Sequence, residues 1–417
     1  ANWRDARVMA SRSQAAMLAP VLLTAVAAGV ALLALRRRRR IRRTDQLAAR
    51  SRGCLLGAAA GDALGAGCEM MTRDGIAQVY GRVTAYIPEA EQKFGGGLKR
   101  IPGCYTDDTE MAIGLALSLV ATRGGVDTIH IAEQHARLYS PWRGYGSGTT
   151  KVLEAECPTK ASWSPQLPLS VPPTVLEGLV SGTASPLTCG LELTRPSYEP
   201  KETWQGSKSN GGAMRIHPLG VLAATVGASP ELVRRATAAA LLPTHTHPEA
   251  VDAAFCQALA VARLCRAEVS SFRVVPLLEE LSSFAQTRGM QAKLQTLHDG
   301  LATGRSEADL VDSIEDGLIG LDGVTGIEAV ACALCCLAFH AHEPAEGIIT
   351  AVGYGGDCDT IAGMAGALLG ALHGEPDAWM PPAWIADLEP AGHGGYSACE
   401  LARVASALVG VRCLGAT

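Results

Sequence analysis

Aromatic side chains are scarce, at 5% of 417 residues against 48% hydrophobic, so the interior must be filled mainly by Ala, Leu, Val and the 46 Gly. Such a composition disfavours aromatic-rich sheets and suits helices packed closely on small residues. Long period-two alternation is missing as well, which leaves little to build strands from. A basic body is also lacking. Residues 1–52 hold twelve Arg and two Asp, +10 in all, so the net charge of −5 leaves −15 for residues 53–417. Direct nucleic-acid binding is therefore not expected. The 13 Cys are odd in number and lack the spacing of a bridged framework, which fits a reducing compartment. Cys332, Cys335 and Cys336, with His340 nearby, lie in the apolar run 329–339 and read as buried thiols of a core helix rather than zinc ligands.

What is present begins with an N-terminal block. Residues 17–35 are nineteen positions without a charge, and Arg36 to Arg40, Arg42 and Arg43 follow at once. That length and those flanks predict a membrane anchor, with residues 44–417 in the cytosol by the positive-inside rule. The alternative is a cleaved transit peptide and a mitochondrial or plastid location. Residues 1–52 are thus expected to stand apart from a domain at 53–417. From residue 53 onward the pattern is all-α, with helices expected at 55–66, 111–122, 129–139, 218–226, 230–242, 250–267, 274–284, 327–341 and 361–372. The last of these is apolar on almost every face, with Gly363, Gly366 and Gly370 allowing close approach, so it is expected inside the bundle. Eight Pro fall within residues 157–203, which read as a surface insertion.

Chemistry is concentrated at two helix starts. Tyr105-Thr106-Asp107-Asp108-Thr109-Glu110 precedes one apolar helix, and Gly355-Gly356-Asp357-Cys358-Asp359-Thr360 precedes another. A single Asp or Thr there would serve as an N-cap. Paired acids on otherwise uncharged helices repel and resist burial, and persist where a cation neutralises them. Their hard oxygens suit Mg²⁺ or Mn²⁺ better than zinc. Glu69 stands at the mouth of the Gly-rich helix that contains Gly61 and Gly65. The turn Ser207-Lys208-Ser209-Asn210-Gly211-Gly212-Ala213-Met214-Arg215 offers donors for a phosphate or ribose. His245 alone would read as a helix cap.

Taken in order, these segments, with Arg143-Gly144-Tyr145-Gly146-Ser147-Gly148, Thr244-His245 and residues 355–374, resemble the ADP-ribosylglycohydrolase family over about residues 53–387. The resemblance implies a compact orthogonal multi-helix bundle and two Mg²⁺ ions, Mn²⁺ being an alternative, held by Thr106, Asp107, Asp108, Asp357, Asp359 and Thr360. It implies that Glu69 gates, ligates or moves a proton, with Asp107, Asp108 and Asp359 as the other catalytic acids. Gly144, Tyr145, Gly146, Ser147, Gly206, Ser207, Lys208, Asn210, Met214 and His245 would line the ADP-ribose pocket. The branch resembled most removes ADP-ribose from serine and degrades poly(ADP-ribose), so the implied partner is an ADP-ribose-bearing protein or polymer. An arginine-directed hydrolase and a non-catalytic ADP-ribose-binding relative are the alternatives. Two departures bear on substrate preference: Cys358 stands where that branch usually has Thr, and residues 157–203 are longer than its pattern.

Overall fold

The computed structural model describes residues 43–88, 90–91, 99–156, 207–315 and 324–411. The chain divides into two compact units, residues 1–46 and 47–417. Of the first, only residues 43–46 are described, and they are helical. Gly206 and the Pro-rich stretch 157–203 lie outside the described residues.

The second unit is an all-helical bundle whose centre is formed by three helices with almost no polar face: α8 (Pro248–Leu264), α12 (Gly326–His340) and α14 (Cys358–His373). Every residue of α14 from Cys358 to Leu372 is buried, and from Ile361 to Leu372 the sequence carries no charge to oppose it. It packs on α8, α12 and α13 (Pro344–Val352). Its closest neighbour is the helix of residues 43–65, here α1. A Cβ at Gly57, Gly61 or Gly65 would come within 2.4 Å of main-chain atoms of Gly366, Ala362 or Asp359, and one at Gly370 would fall 1.9 Å from the Gly53 carbonyl oxygen. Only glycine lets these two backbones touch.

Helix starts follow capping chemistry. Thr106 caps α3 (Asp107–Ala121) by accepting the Asp108 N–H, Asp127 caps α4 (Thr128–Leu138), and Thr325 caps α12. All nine expected helices form. The two that carry the acid clusters begin earlier than expected, at Asp107 and Cys358, which places the acids in the first helical turn. Seven further helices escaped the sequence reading: α2 (Arg73–Val79), α5 (Ser147–Glu156), α10 (Arg288–Ala302), α11 (Glu307–Ile314), α13, α15 (Pro382–Ala386) and α16 (Ala398–Gly410). Several bury only a narrow stripe, as α10 does with Met290, Leu294, Leu297 and Gly300, so they lack the apolar runs that mark the interior helices. The strands among the described residues are two-residue pieces, Ala90–Glu91 antiparallel to Lys99–Arg100.

The membrane anchor is corrected. Its expected span, residues 17–35, lies outside the described residues. Among the described residues no helix is long and apolar enough to cross a membrane. The helix α1 carries Arg43, Asp45, Arg50, Arg52 and Asp62, and α8 is 17 residues long, below the ~20 apolar residues a bilayer demands. Membrane attachment is accordingly withdrawn, and with it the placement of residues 44–417 on one side of a bilayer.

Candidate metal centre

The centre is assembled where α1, α3 and α14 meet, and its foundation is a residue that the sequence reading left without a role. Asp62, fully buried on α1, accepts the Thr106 N–H at 2.9 Å, the Thr109 N–H at 3.1 Å and the Thr109 hydroxyl at 2.6 Å. It thereby fixes the start of α3 against α1. Burial pushes its pKa up, opposed by the Thr109 and Thr106 hydrogen bonds. The signal was available: Asp62 is the one acid within the Gly-rich stretch 53–67.

From that base α3 presents Asp107 and Asp108 in its first turn, Asp107 half-buried and Asp108 buried. Across the gap α14 presents Asp359 and Thr360, with Asp357 as its N-cap residue. The helix starts are joined by the Thr360 hydroxyl, which donates to Asp108 Oδ2 at 2.7 Å. Asp357 is steadied by Asn210, whose amide donates to its Oδ2 at 2.8 Å. Glu69 arrives on the turn that follows α1. That turn is stitched to Gly355-Gly356: the Met70 N–H donates to the Gly356 carbonyl at 2.7 Å, and the Gly356 N–H donates to the Met71 carbonyl at 2.8 Å. Gly355 and Gly356 both have positive φ, and a Cβ on Gly355 would meet Arg73 N at 2.7 Å, so this clamp demands glycine.

Carboxylate oxygens of Glu69, Asp357 and Asp359 come within 4.8 Å of one another, forming a cluster able to hold a cation. Three features show how far the protein alone fails to satisfy it. Asp359 Oδ1 is buried with no hydrogen-bond partner among the described residues. Burial, then Glu69, push Asp357 up to about 6. Burial also raises Asp359 and Asp108, with Glu69 the next cause for the first and Asp62 for the second. A cation placed among these oxygens would remove the repulsion and occupy the orphaned one.

The expected ligand-binding residues surround this cluster unevenly. Ser209 and Asn210 are pinned to the entry of α12, where the Asn210 N–H donates to the Val324 carbonyl at 2.9 Å, so the Ser207–Met214 turn reaches the centre through Asn210. His245 is buried beside that turn, its ring nitrogens 2.9 Å from the Ser209 hydroxyl and 2.8 Å from the Thr244 hydroxyl. Burial and the nearby Arg215 push it down to about 3, so it is a neutral hydrogen-bonding group at ordinary pH. Met214 is buried, Ser207 is half-buried, and Lys208 points outward, pairing with Glu249 at 3.0 Å. Gly144 and Tyr145 are half-buried, and Gly146 and Ser147 are exposed. Tyr145 donates to Glu110 Oε2 at 2.6 Å, which ties this segment to α3.

That tie belongs to a second network missed in the sequence. Arg143, with no exposed surface, pairs with Glu110 at 2.9 Å and Glu389 at 2.6 Å, and donates to the Tyr105 carbonyl at 2.6 Å. Its guanidinium also stacks over Tyr105 and Trp142, 4.3 and 4.4 Å from the ring centres. The partner Glu389 is 246 residues away, so no local spacing could have announced it.

This geometry coincides with a family match along nearly the whole chain: the model of the ADP-ribosylglycohydrolase family covers residues 43–415. The chain belongs to the ADP-ribosylglycohydrolase family. It is 29% identical to an ADP-ribosyl-[dinitrogen reductase] glycohydrolase of Rhodospirillum rubrum, over 82% of this chain and 90% of that protein. It is 28% identical to the ADP-ribosylhydrolase ARH3 of Homo sapiens, over 79% of this chain and 88% of that one. Among solved structures, a chain of an ADP-ribosylglycohydrolase-related protein complex superposes with a TM-score of 0.53 at 23% identity, covering 88% of this chain and 99% of its own, a likeness in fold. Membership in this ADP-ribosylglycohydrolase family supports hydrolysis of ADP-ribose linkages.

Proposed function

We propose that the chain cleaves the glycosidic bond between ADP-ribose and an acceptor, with serine-linked ADP-ribose or poly(ADP-ribose) as the substrate, and that it depends on two Mg²⁺ ions. The observation that carries the metal is the buried Asp359 Oδ1, without a hydrogen-bond partner among the described residues, beside Glu69 and Asp357. Thr106, Asp107, Asp108, Asp357, Asp359 and Thr360 would hold the ions. When bound, the ions would supply an anchor for the vicinal hydroxyls of the ribose and Lewis-acid activation of a water.

The protein's own groups do the rest. Asp62 and the Thr360–Asp108 bond hold the two acid-bearing helix starts in register. Asn210 orients Asp357, the kind of support that fixes a ligating carboxylate. Tyr145 and its neighbours Gly144, Gly146 and Ser147, with Ser207, Met214 and His245, would embrace the ADP-ribose, the buried Arg143 keeping the Tyr145 segment against α3. Glu69 and Asp107, both half-buried, are the acids placed to exchange a proton with solvent, while Asp108 and Asp359 are buried.

The test is release of free ADP-ribose from serine-linked and arginine-linked peptides, with Mg²⁺ and with EDTA. Metal-dependent release from the serine peptide alone supports the reading. Release from the arginine peptide would move the chain toward another substrate branch, and none from either, with ADP-ribose still bound, would favour a non-catalytic relative. Turnover retained in an Asp107→Asn/Asp359→Asn double variant would sink the mechanism.

A further inference from the structure

Two thiols sit inside the metal centre without having been given a part in it. Cys68 immediately precedes Glu69, and Cys358 lies between Asp357 and Asp359. Both are buried, at 1% and 0% exposure, and their sulfurs are 3.8 Å apart. They lie on the two segments that the Met70–Gly356 and Gly356–Met71 hydrogen bonds clamp together. Both sulfurs also approach one acceptor, the Gly65 carbonyl, at 3.4 and 3.7 Å. A Cβ on Gly65 would come within 2.9 Å of the Cys358 carbonyl carbon, so the two backbones are already in contact where a bridge would form.

We propose that Cys68 and Cys358 form a reversible disulfide that disables the metal centre, a redox modification site built into the ligand-bearing segments. The oxidant class is a hydroperoxide, hydrogen peroxide being the simplest. One sulfur attacks a peroxide oxygen, the O–O bond breaks, and a sulfenic acid and one water result. The second sulfur displaces hydroxide from that sulfenic sulfur, the S–S bond forms, and the hydroxide leaves as a second water with the remaining thiol proton. Two thiols are oxidised by two electrons and one peroxide is reduced to two waters. A dithiol reverses the bond by exchange.

The consequence for the site follows from distance. A disulfide bond is about 2.0 Å long, so the sulfurs must close by roughly 1.8 Å. That movement falls on the turn carrying Glu69 and on the helix start carrying Asp357 and Asp359, whereas metal–ligand distances tolerate about 0.2 Å. Burial slows the reaction, and Cys399, an exposed thiol, gives the internal reference for rate. The bridge itself does not depend on the proposed hydrolysis; only its effect on activity does.

The experiment exposes the full chain to hydrogen peroxide, maps disulfide-linked peptides by mass spectrometry, and measures ADP-ribose release and bound Mg²⁺ before oxidation, after it and after dithiothreitol. The expected result is a Cys68–Cys358 peptide short of two hydrogens, at least a ~10-fold loss in Mg²⁺ affinity, a parallel loss of hydrolysis, and recovery of both on reduction. Cys358→Thr and Cys68→Ser should form no such peptide and keep their metal binding through the same exposure. The proposal is overturned if Cys399 oxidises fully with no Cys68–Cys358 peptide, if the bridge forms and Mg²⁺ binding is unchanged, or if Cys358→Thr loses Mg²⁺ binding as the parent does. A chain that binds Mg²⁺ but hydrolyses nothing would count against the proposed function alone, since the bridge and metal content are still read.

Discussion

Replacing Asp359 with Asn takes a charge out of the centre while changing little volume, and at Oδ1 it breaks no hydrogen bond among the described residues. Oxygens of Glu69, Asp357 and Asp359 lie within 4.8 Å of one another. At an effective dielectric of about 20, like unit charges at that separation repel by roughly 3 kcal/mol per pair. Burial, then the charges of Glu69, Asp357 and Asp108, hold the Asp359 carboxyl above its ordinary value, so its ionised form opposes folding of the metal-free protein. A proton shared within the cluster relieves part of this. Asp359→Asn should therefore stabilise the metal-free protein by about 1–3 kcal/mol, a rise of several degrees in Tm. Mg²⁺ should narrow this difference, because the parent gains about 2.7 kcal/mol once free metal is about a hundredfold above its Kd and the variant gains less. Thermal unfolding of both proteins at neutral pH, in EDTA and in saturating Mg²⁺, reads this directly. A variant less stable than the parent in EDTA, or equal stabilisation of both by Mg²⁺, refutes the argument.

Three other perturbations probe the supporting structure. Arg143→Ala leaves Glu110 and Glu389 buried without their cation and should cost about 3–5 kcal/mol in urea unfolding, with Arg143→Lys falling between; an unchanged midpoint would mean that the network does not hold this segment. Asn210→Ala should lower Mg²⁺ affinity at least ~10-fold by calorimetry while shifting stability by about 1 kcal/mol, since its amide orients Asp357; unaltered affinity would remove Asp357 from the ligand set. His217 is fully buried, and desolvation lowers it to about 4, so the stability it contributes is complete above its unfolded value near 6.5 and is lost as pH falls toward 4. His217→Gln should flatten that decline by about 3 kcal/mol between pH 7 and 4, and a parent and variant with parallel pH profiles would show that His217 does not titrate on unfolding.

The interior helices were legible because their burial is written as apolar runs: α14 is uncharged after Asp359, and its first turn carries acids that a core helix does not otherwise tolerate. The candidate ligands were legible for the same reason, as Thr106, Asp107, Asp108, Asp357, Asp359 and Thr360 stand out against their helices. The amphipathic helices were missed because α10 and α16 each turn one modest stripe inward and their polar faces dilute the pattern. Asp62 stands out as the one acid of its small-residue stretch, but its partners Thr106 and Thr109 lie 44 and 47 residues away, so spacing does not reveal what it holds. The Arg143 network required knowledge of which distant loops meet. The expected anchor came from uniform hydropathy in residues 17–35, and the described helices provide no span in its place.

The contact between α1 and α14 sets a ruler inside the molecule. Where side chains interdigitate, a neighbour's rotamer can absorb a change in size, and helix spacing is an average over many small adjustments. Here Gly57 faces Gly366 and Gly53 faces Gly370 with main-chain atoms filling the space a methyl would need. The approach of the segments that carry Asp62 and Asp359 is then set by contact between backbone atoms rather than by side-chain packing. Drift among the surrounding Ala, Leu and Val residues can proceed without moving the acids, whereas one added carbon at Gly57 or Gly366 would be felt at once at the far end of both helices.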